Sequence, residues 1–341
     1  MRVAVVTGPG AVELRDEPTP LLGPDDVLIE VGACGLCTME RRLFAGDKRI
    51  YPVAPGHEAA GRIVDAGADV ATLPGSPRVG DLVAADLLTR CGTCAPCRRG
   101  RSAVCQQPQG AQLSDGTIAM GAGLADYVKV SARQAFAVGA APVAHAAMTE
   151  PLACVAHSVR LSGLGSGDRV AVIGAGYMGR LHLALARAFG AAPVGMIDLS
   201  APRLDDATAA GAAWTASPAD AASTGGANDI VFVTAGSPGA LELALQLADD
   251  GGTVVLYGAF PKDLRVGLDP DAVHHHELSI VGVYSQEPDD WRTAAGLIRS
   301  GALAADLDAL VTATFSLDAV TDAFSMATDH PVYRVLVGAA V

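Results

Sequence analysis

Hydrophobic positions change their period along this chain. From Met1 to about Val31 apolar residues come in short runs, RVAVVTG, AVELRD and DDVLIEVGA, each bounded by Gly, Pro or acidic residues. Pro18, Pro20 and Pro24 exclude a helix there, so the segment reads as short strands opening a small, mostly β domain. Strand-like runs return in AAGRIVDAG, LVAADLL and GLADYVKVSARQAFAV, while helical stretches follow Cys37 and begin near Glu150. From Arg169 the pattern changes. The runs RVAVI, DIVFVTAG, GTVVLYG and LSIVGVY are almost wholly apolar, as strands buried on both faces must be, and they alternate with helical sequence such as PGALELALQLA. The expectation is an α/β chain with a doubly wound parallel sheet. Beyond Trp291 the pattern gives a helix, a short β segment, a second helix and a closing strand, VYRVLVG. That β segment is too short for a domain of its own and is expected to rejoin the N-terminal β domain. The predicted division is therefore a catalytic domain of residues 1–149 and 289–341, with a nucleotide-binding domain, residues 150–288, inserted between them.

The first apolar run of the inserted part leads into Gly174-Ala175-Gly176-Tyr177-Met178-Gly179, a helix-favouring stretch and a second apolar run ending in Asp198. Gly174 permits the tight turn, Gly176 lets the backbone approach a pyrophosphate, and Gly179 lets the helix pack closely on the strands. The free N–H groups of a helix opening near Tyr177 and Met178 suit a diphosphate. Asp198 is placed to accept hydrogen bonds from an adenosine ribose and to repel a 2′-phosphate, so the expected cofactor is NAD rather than NADP. Leu199 and Arg203 follow that acid, and Gly236 and Gly258 fall at the ends of later strands, where ligands bind in such sheets.

Composition narrows the function classes. The 341 residues suffice for two cores, and the formal charge of −13 argues against a nucleic-acid or anionic-membrane binder. No apolar run approaches the ~18 residues of a membrane span, and the N-terminus turns polar before it forms a secretory h-region. The expectation is a soluble, cytoplasmic protein acting on a small molecule.

Seven cysteines, four within fifteen residues, suit a metal site better than a disulfide framework. Cys91, Cys94, Cys97 and Cys105 have the spacing C-x2-C-x2-C-x7-C, and four thiolates from one loop close a tetrahedral shell, which is structural zinc. An iron–sulfur cluster is the rival; in ferredoxin runs the fourth Cys follows three residues later and precedes Pro, whereas here Gln106 follows. Cys37, at the head of a helix, and His57-Glu58, after a Pro-Gly turn, form a second candidate set. Glu150 and Cys154, four apart, share one face of a helix. His274-His275-His276 reads as a solvated loop.

In order along the chain, CGLCTME, GHEAAG, the four-cysteine lobe, EPLAC, GAGYMG with Asp198, and the closing helix and strand resemble the zinc-dependent medium-chain alcohol dehydrogenases, in the polyol (sorbitol-type) and threonine dehydrogenase neighbourhood. The resemblance implies a GroES-like β-rich catalytic domain plus a Rossmann domain, one catalytic and one structural zinc, and reversible oxidation of a secondary alcohol with NAD. It makes Cys37, His57 and Glu58 catalytic ligands, with Glu150, as in the polyol branch, or Cys154, as in ethanol-type members, completing the shell. One departure stands out. The hydroxyl that begins the family's proton relay is replaced by Met39, and the next residue, normally Asp, is Glu40. A thioether cannot shuttle a proton; Thr38, Tyr51, or a route through zinc-bound water and Glu58 are left. Phe44, Tyr51, Tyr284 and Trp291 are expected around the substrate pocket. Related enzymes are homodimers or homotetramers that pair edge strands, here LSIVGVY. A reductase acting on a ketone, imine or activated alkene is the alternative on the same scaffold.

Overall fold

A computed structural model of the chain describes residues 1–108 and 110–338; the final three residues of the expected C-terminal segment lie outside the described residues. The chain divides into two compact units, Met1–Ala153 with Glu287–Val341, and Cys154–Gln286. Among the described residues no helix is long and apolar enough to cross a membrane.

The first unit is mostly β. One sheet runs in the order Ala135–Ala137, Leu82–Asp86, Glu58–Ala66, Asp26–Leu36, Arg334–Val337, Val311–Phe315, with Tyr127–Ser131 also paired to Asp26–Leu36. A second sheet places Arg2–Gly8 between Ala11–Asp16 and Val53–Ala54. Alternate apolar residues of both sheets meet in one core that includes Val6, Ile29, Leu43, Ile63, Val83 and Phe324.

Register within the first sheet sets the chemistry. Gly35 lies opposite Glu58 on one side and opposite Leu336 on the other. The strand Asp26–Leu36 then ends, and the chain turns at Cys37 into the helix Thr38–Ala45. Cys37 is the N-cap of that helix. Its extended backbone, its Sγ accepting from Met39 N–H, and Glu40 reaching back to the Cys37 N–H make a capping box in which a thiol replaces the usual hydroxyl.

The second unit holds a parallel sheet in the order Trp214–Ala216, Val194–Ile197, Val170–Ile173, Asn228–Val233, Ala248–Leu256, Ser279–Gly282. The order in which strands are added reverses between Val170–Ile173 and Asn228–Val233, which is where such sheets open a crevice for a ligand. The loop Gly174–Gly176 begins at that point. Three of the long apolar strands are buried as their patterns predict; Ser279–Gly282 is not, because it is the outermost strand, and Ile280 is exposed. The expectation of burial on both faces fails there because an edge strand of a single chain lacks a neighbour. The histidine run also differs from expectation. His274 and His275 end a short helix, Pro270–His275, started by Pro270 and by Asp269 accepting from the Asp271 and Ala272 N–H groups. Their side chains are solvated as expected.

Trp214 lies across Gly195, its sheet partner, and across Gly225. A Cβ on Gly195 would stand 1.9 Å from the indole. Gly195→Ala is therefore expected to displace Trp214 and cost about 1–3 kcal/mol, read as a lower urea midpoint of the unit that Trp214 fluorescence reports.

Candidate functional site

Cys37, His57 and Glu58 bring one donor atom each within 4.8 Å of one another, and Cys37 Sγ lies 3.4 Å from His57 Nε2. Tetrahedral zinc with ordinary Zn–S and Zn–N bonds would set that separation at roughly 3.6 Å. The capping box supplies the thiol, the turn after Pro55-Gly56 supplies the imidazole, and the first residue of the strand Glu58–Ala66 supplies the carboxylate.

Glu40 orients all of this. One carboxylate oxygen accepts from Gly56 N–H (3.2 Å) and faces His57 Nδ1 (3.0 Å); the other accepts from Cys37 N–H (3.1 Å). A proton on Nδ1 leaves the Nε2 lone pair directed at the thiol and at any ion beside it. Burial alone would raise the Glu40 pKa, but His57 and the hydrogen bonds hold it down to about 2. Burial pushes the Cys37 thiol up to about 11, helped by the charge of Glu40. With no cation beside it, burial therefore favours the neutral thiol over the thiolate.

Glu58 is held from the other side. Arg334 donates one Nη to the Leu36 carbonyl (2.6 Å) and places the other 3.2 Å from Glu58 Oε1. Burial, with the charge of Glu150, pushes Glu58 up to about 7 against the pull of Arg334. Its Oε2 is buried with no hydrogen-bond partner and occupies the space where Gly35 lacks a side chain, 2.1 Å from the position of an ideal Cβ. A buried carboxylate with one oxygen unpartnered, on a residue that shares a cluster with a thiol and an imidazole, fits a divalent cation.

Glu150, on the helix Thr149–Ser162, is buried near enough to act on Glu58 by its charge, but it is not one of the three convergent donors. Neither is Cys154, whose Sγ lies 3.4 Å from Gln286 Oε1. Thr38 is exposed, and the Tyr51 hydroxyl donates to the Leu43 carbonyl. Two of the residues expected around a substrate are core residues instead. Phe44 stacks on Phe324 (5.2 Å between centroids) and Trp291 on Phe136 (5.1 Å), because each lies on the apolar face of an amphipathic helix. Tyr284 is largely exposed.

The Cys91, Cys94, Cys97 and Cys105 sulfurs also lie within 4.8 Å of one another. Backbone N–H groups of Cys94 and Thr93 lower Cys91 to about 6, while desolvation and neighbouring sulfurs raise Cys97 to about 12. Polar backbone hydrogens aimed at clustered sulfurs suit a site that holds negative charge around a cation.

In the second unit Gly174 has φ +106, a conformation open to glycine, and a Cβ on Gly179 would lie 1.7 Å from the Gly174 carbonyl. Gly176 caps the helix Tyr177–Ala188, with Tyr177 and Met178 in its first turn. Asp198 accepts from Ala175 N–H (2.7 Å) and Ser200 N–H (2.9 Å), locking the carboxylate at the glycine loop. Leu199 is exposed, and Arg203 Nη1 lies 3.7 Å from the Cβ position of Gly176. Gly236 and Gly258 let the loops after two adjacent strands approach: a Cβ on Gly236 would meet the Ala259 carbonyl at 2.0 Å, and one on Gly258 the Thr234 carbonyl at 2.9 Å.

Sequence reasoning assigned no role to Glu40 or Arg334. Cys-x-x-Glu ahead of a helix has the spacing of a capping box and carried that signal for Glu40; nothing local marked Arg334, whose partner is 276 positions away along the chain (334 − 58).

Comparison with known proteins accounts for both units. Residues 23–140 match the alcohol dehydrogenase GroES-like domain, and residues 178–300 match the zinc-binding dehydrogenase model. The D-altritol 5-dehydrogenase of Agrobacterium fabrum is 31% identical over 81% of this chain and 82% of its own. The L-threonine 3-dehydrogenase of Pyrococcus horikoshii is 31% identical over 94% of this chain and 93% of its own. A crystal structure of a zinc-binding dehydrogenase from Sinorhizobium meliloti bound to NADP superposes with a TM-score of 0.87 at 32% identity, covering 98% of each chain. The GroES-like and dinucleotide-binding units, the convergent thiol, imidazole and carboxylate, and these relatives together place the chain in the zinc-dependent medium-chain alcohol dehydrogenase family.

Proposed function

We propose that the protein is a zinc-dependent dehydrogenase that moves a hydride between a secondary alcohol of polyol, cyclitol or amino-alcohol type and NAD. The observation that carries this reading is the convergence of one donor atom each from Cys37, His57 and Glu58 to within 4.8 Å of one another. Bound there, zinc supplies a Lewis acid that makes a hydroxyl acidic near neutral pH. The chain's own residues prepare that site: Glu40 fixes the His57 tautomer, and Arg334 with Gly35 fixes the Glu58 carboxylate. Glu150 is favoured over Cys154 as the further ligand, since its charge already acts on Glu58. The four-cysteine lobe would hold a second, structural zinc.

The cofactor preference is assigned from Asp198. Its carboxylate is pinned at the glycine loop, where it suits a ribose diol and repels a 2′-phosphate. The relative from Sinorhizobium carries NADP, so the preference must come from residues of each chain rather than from the scaffold. The exposed edge of Ser279–Gly282 is the surface through which we assign a homodimer or homotetramer. Met39, which cannot relay a proton, keeps the reductase reading as the second one, and assays in both directions separate the two.

Cys37→Ser is expected to remove one of two zinc ions per chain and abolish turnover while leaving NAD affinity within about twofold, measured by elemental analysis and NADH fluorescence titration; full activity would defeat the metal reading. Asp198→Ala should lower the NAD to NADP ratio of kcat/KM by about tenfold, and an unchanged ratio would remove the ribose assignment. Glu40→Gln, which keeps the shape but removes the charge, should weaken zinc binding about 10–100-fold in chelator competition.

A further inference from the structure

The side chains of Met39 and Lys48 make a contact that alcohol oxidation does not use. Lys48 Nζ stands 3.1 Å from Met39 Sδ, and among the described residues no carboxylate pairs with this ammonium. A thioether is a weak acceptor, so a half-buried ammonium facing one is poorly satisfied. Its placement is set by the backbone. Gly46, at φ +86, ends the helix Thr38–Ala45, and the Lys48 N–H returns to the Arg42 carbonyl (3.0 Å), which lets the side chain reach back along the helix. Met39 in turn donates its N–H to Cys37 Sγ (3.1 Å). One residue therefore separates the sulfur of the metal site from a cation.

The surrounding charge has the same sign. Arg41, Arg42, Lys48 and Arg49 fall within nine residues of a chain whose formal charge is −13. The one acid inside that stretch is Asp47, and Glu40, just before it, is buried against His57 and backbone N–H groups. A local basic patch on an acidic protein concentrates anions there. Nearby hydroxyls do not compete for the role: Thr38 is exposed and Tyr51 donates to Leu43.

We infer that Lys48 anchors an oxyanion of the substrate, so that the alcohol oxidised at the metal site carries a carboxylate or a phosphate that replaces the Met39 thioether as the acceptor of Lys48. The inference rests on the alcohol-oxidising reading above and narrows its substrate class to acidic polyols.

The test compares the metal-loaded protein on matched hexitols, hexonates and hexitol phosphates. The kcat/KM ratio of one anionic series to the neutral hexitols should exceed one, and the series that shows it identifies carboxylate or phosphate. Lys48→Met should lower that ratio about tenfold or more, mainly through KM, with Lys48→Arg retaining most of it and Lys129→Met leaving it unchanged. A ratio that Lys48→Met does not alter, or a preference for neutral hexitols, overturns the inference. A second readout needs no turnover. Lys48, Lys129 and Lys262 are the three lysines of the chain, so trinitrophenylation mapped by peptide mass reports Lys48 against two internal references. Gluconate or inorganic phosphate should slow labelling of Lys48 selectively, and sorbitol should not. Protection without turnover of any alcohol would keep the anion site and defeat the dehydrogenase reading; turnover without protection would do the reverse.

Discussion

One buried carboxylate, Glu40, holds the Cys37, His57 and Glu58 cluster in shape. Its oxygens join the start of a helix, a Pro-Gly turn and an imidazole through three contacts, each involving a charge or a backbone N–H that would otherwise be unsatisfied. Charge-assisted hydrogen bonds of this kind contribute roughly 1.5–3 kcal/mol each, which is enough to fix a ring tautomer and to outweigh the burial that opposes ionisation of Glu40. The acid defines what the thiol and imidazole can bind by deciding which of their atoms face one another.

A second carboxylate carries the opposite character. Glu58 is buried, pushed up toward neutrality, and paired on only one oxygen, by Arg334. Glu40 is saturated and rigid, while Glu58 keeps a reserve of unspent acceptor capacity. Two acids within one small region are thus held in different ways, one as frame and one with an oxygen left for the proposed ion, and the distinction follows from their hydrogen-bond partners rather than from residue type.

Much of this was legible in the sequence. The periodicity of the apolar runs predicted a β-rich unit and a doubly wound sheet, because burial on two faces and alternation on one leave different patterns. The glycine spacing was legible because each glycine answers a backbone requirement: Gly174 has a positive φ, and Gly179 sits against a carbonyl. What was not legible depends on distant neighbours. The strand Ser279–Gly282 has the composition of a buried strand and an edge position. Phe44 and Trp291 look like pocket aromatics until the helix phase turns them inward. Arg334 and Lys48 carry no motif, since their partners are set by sheet register and by a helix cap, two properties of the folded chain.

The dependence of Glu58 on Arg334 also bears on biosynthesis. The four-cysteine lobe takes all its sulfur donors from one short loop, so every donor is present once that loop has been synthesised. The other donor set draws its clamp from the strand Arg334–Val337, which pairs with Asp26–Leu36 across nearly 300 intervening residues and so joins it only after they have been synthesised. The two donor sets therefore become available at different moments: a growing chain already carries all four sulfurs of the lobe while the other set still lacks the arginine that aligns its carboxylate.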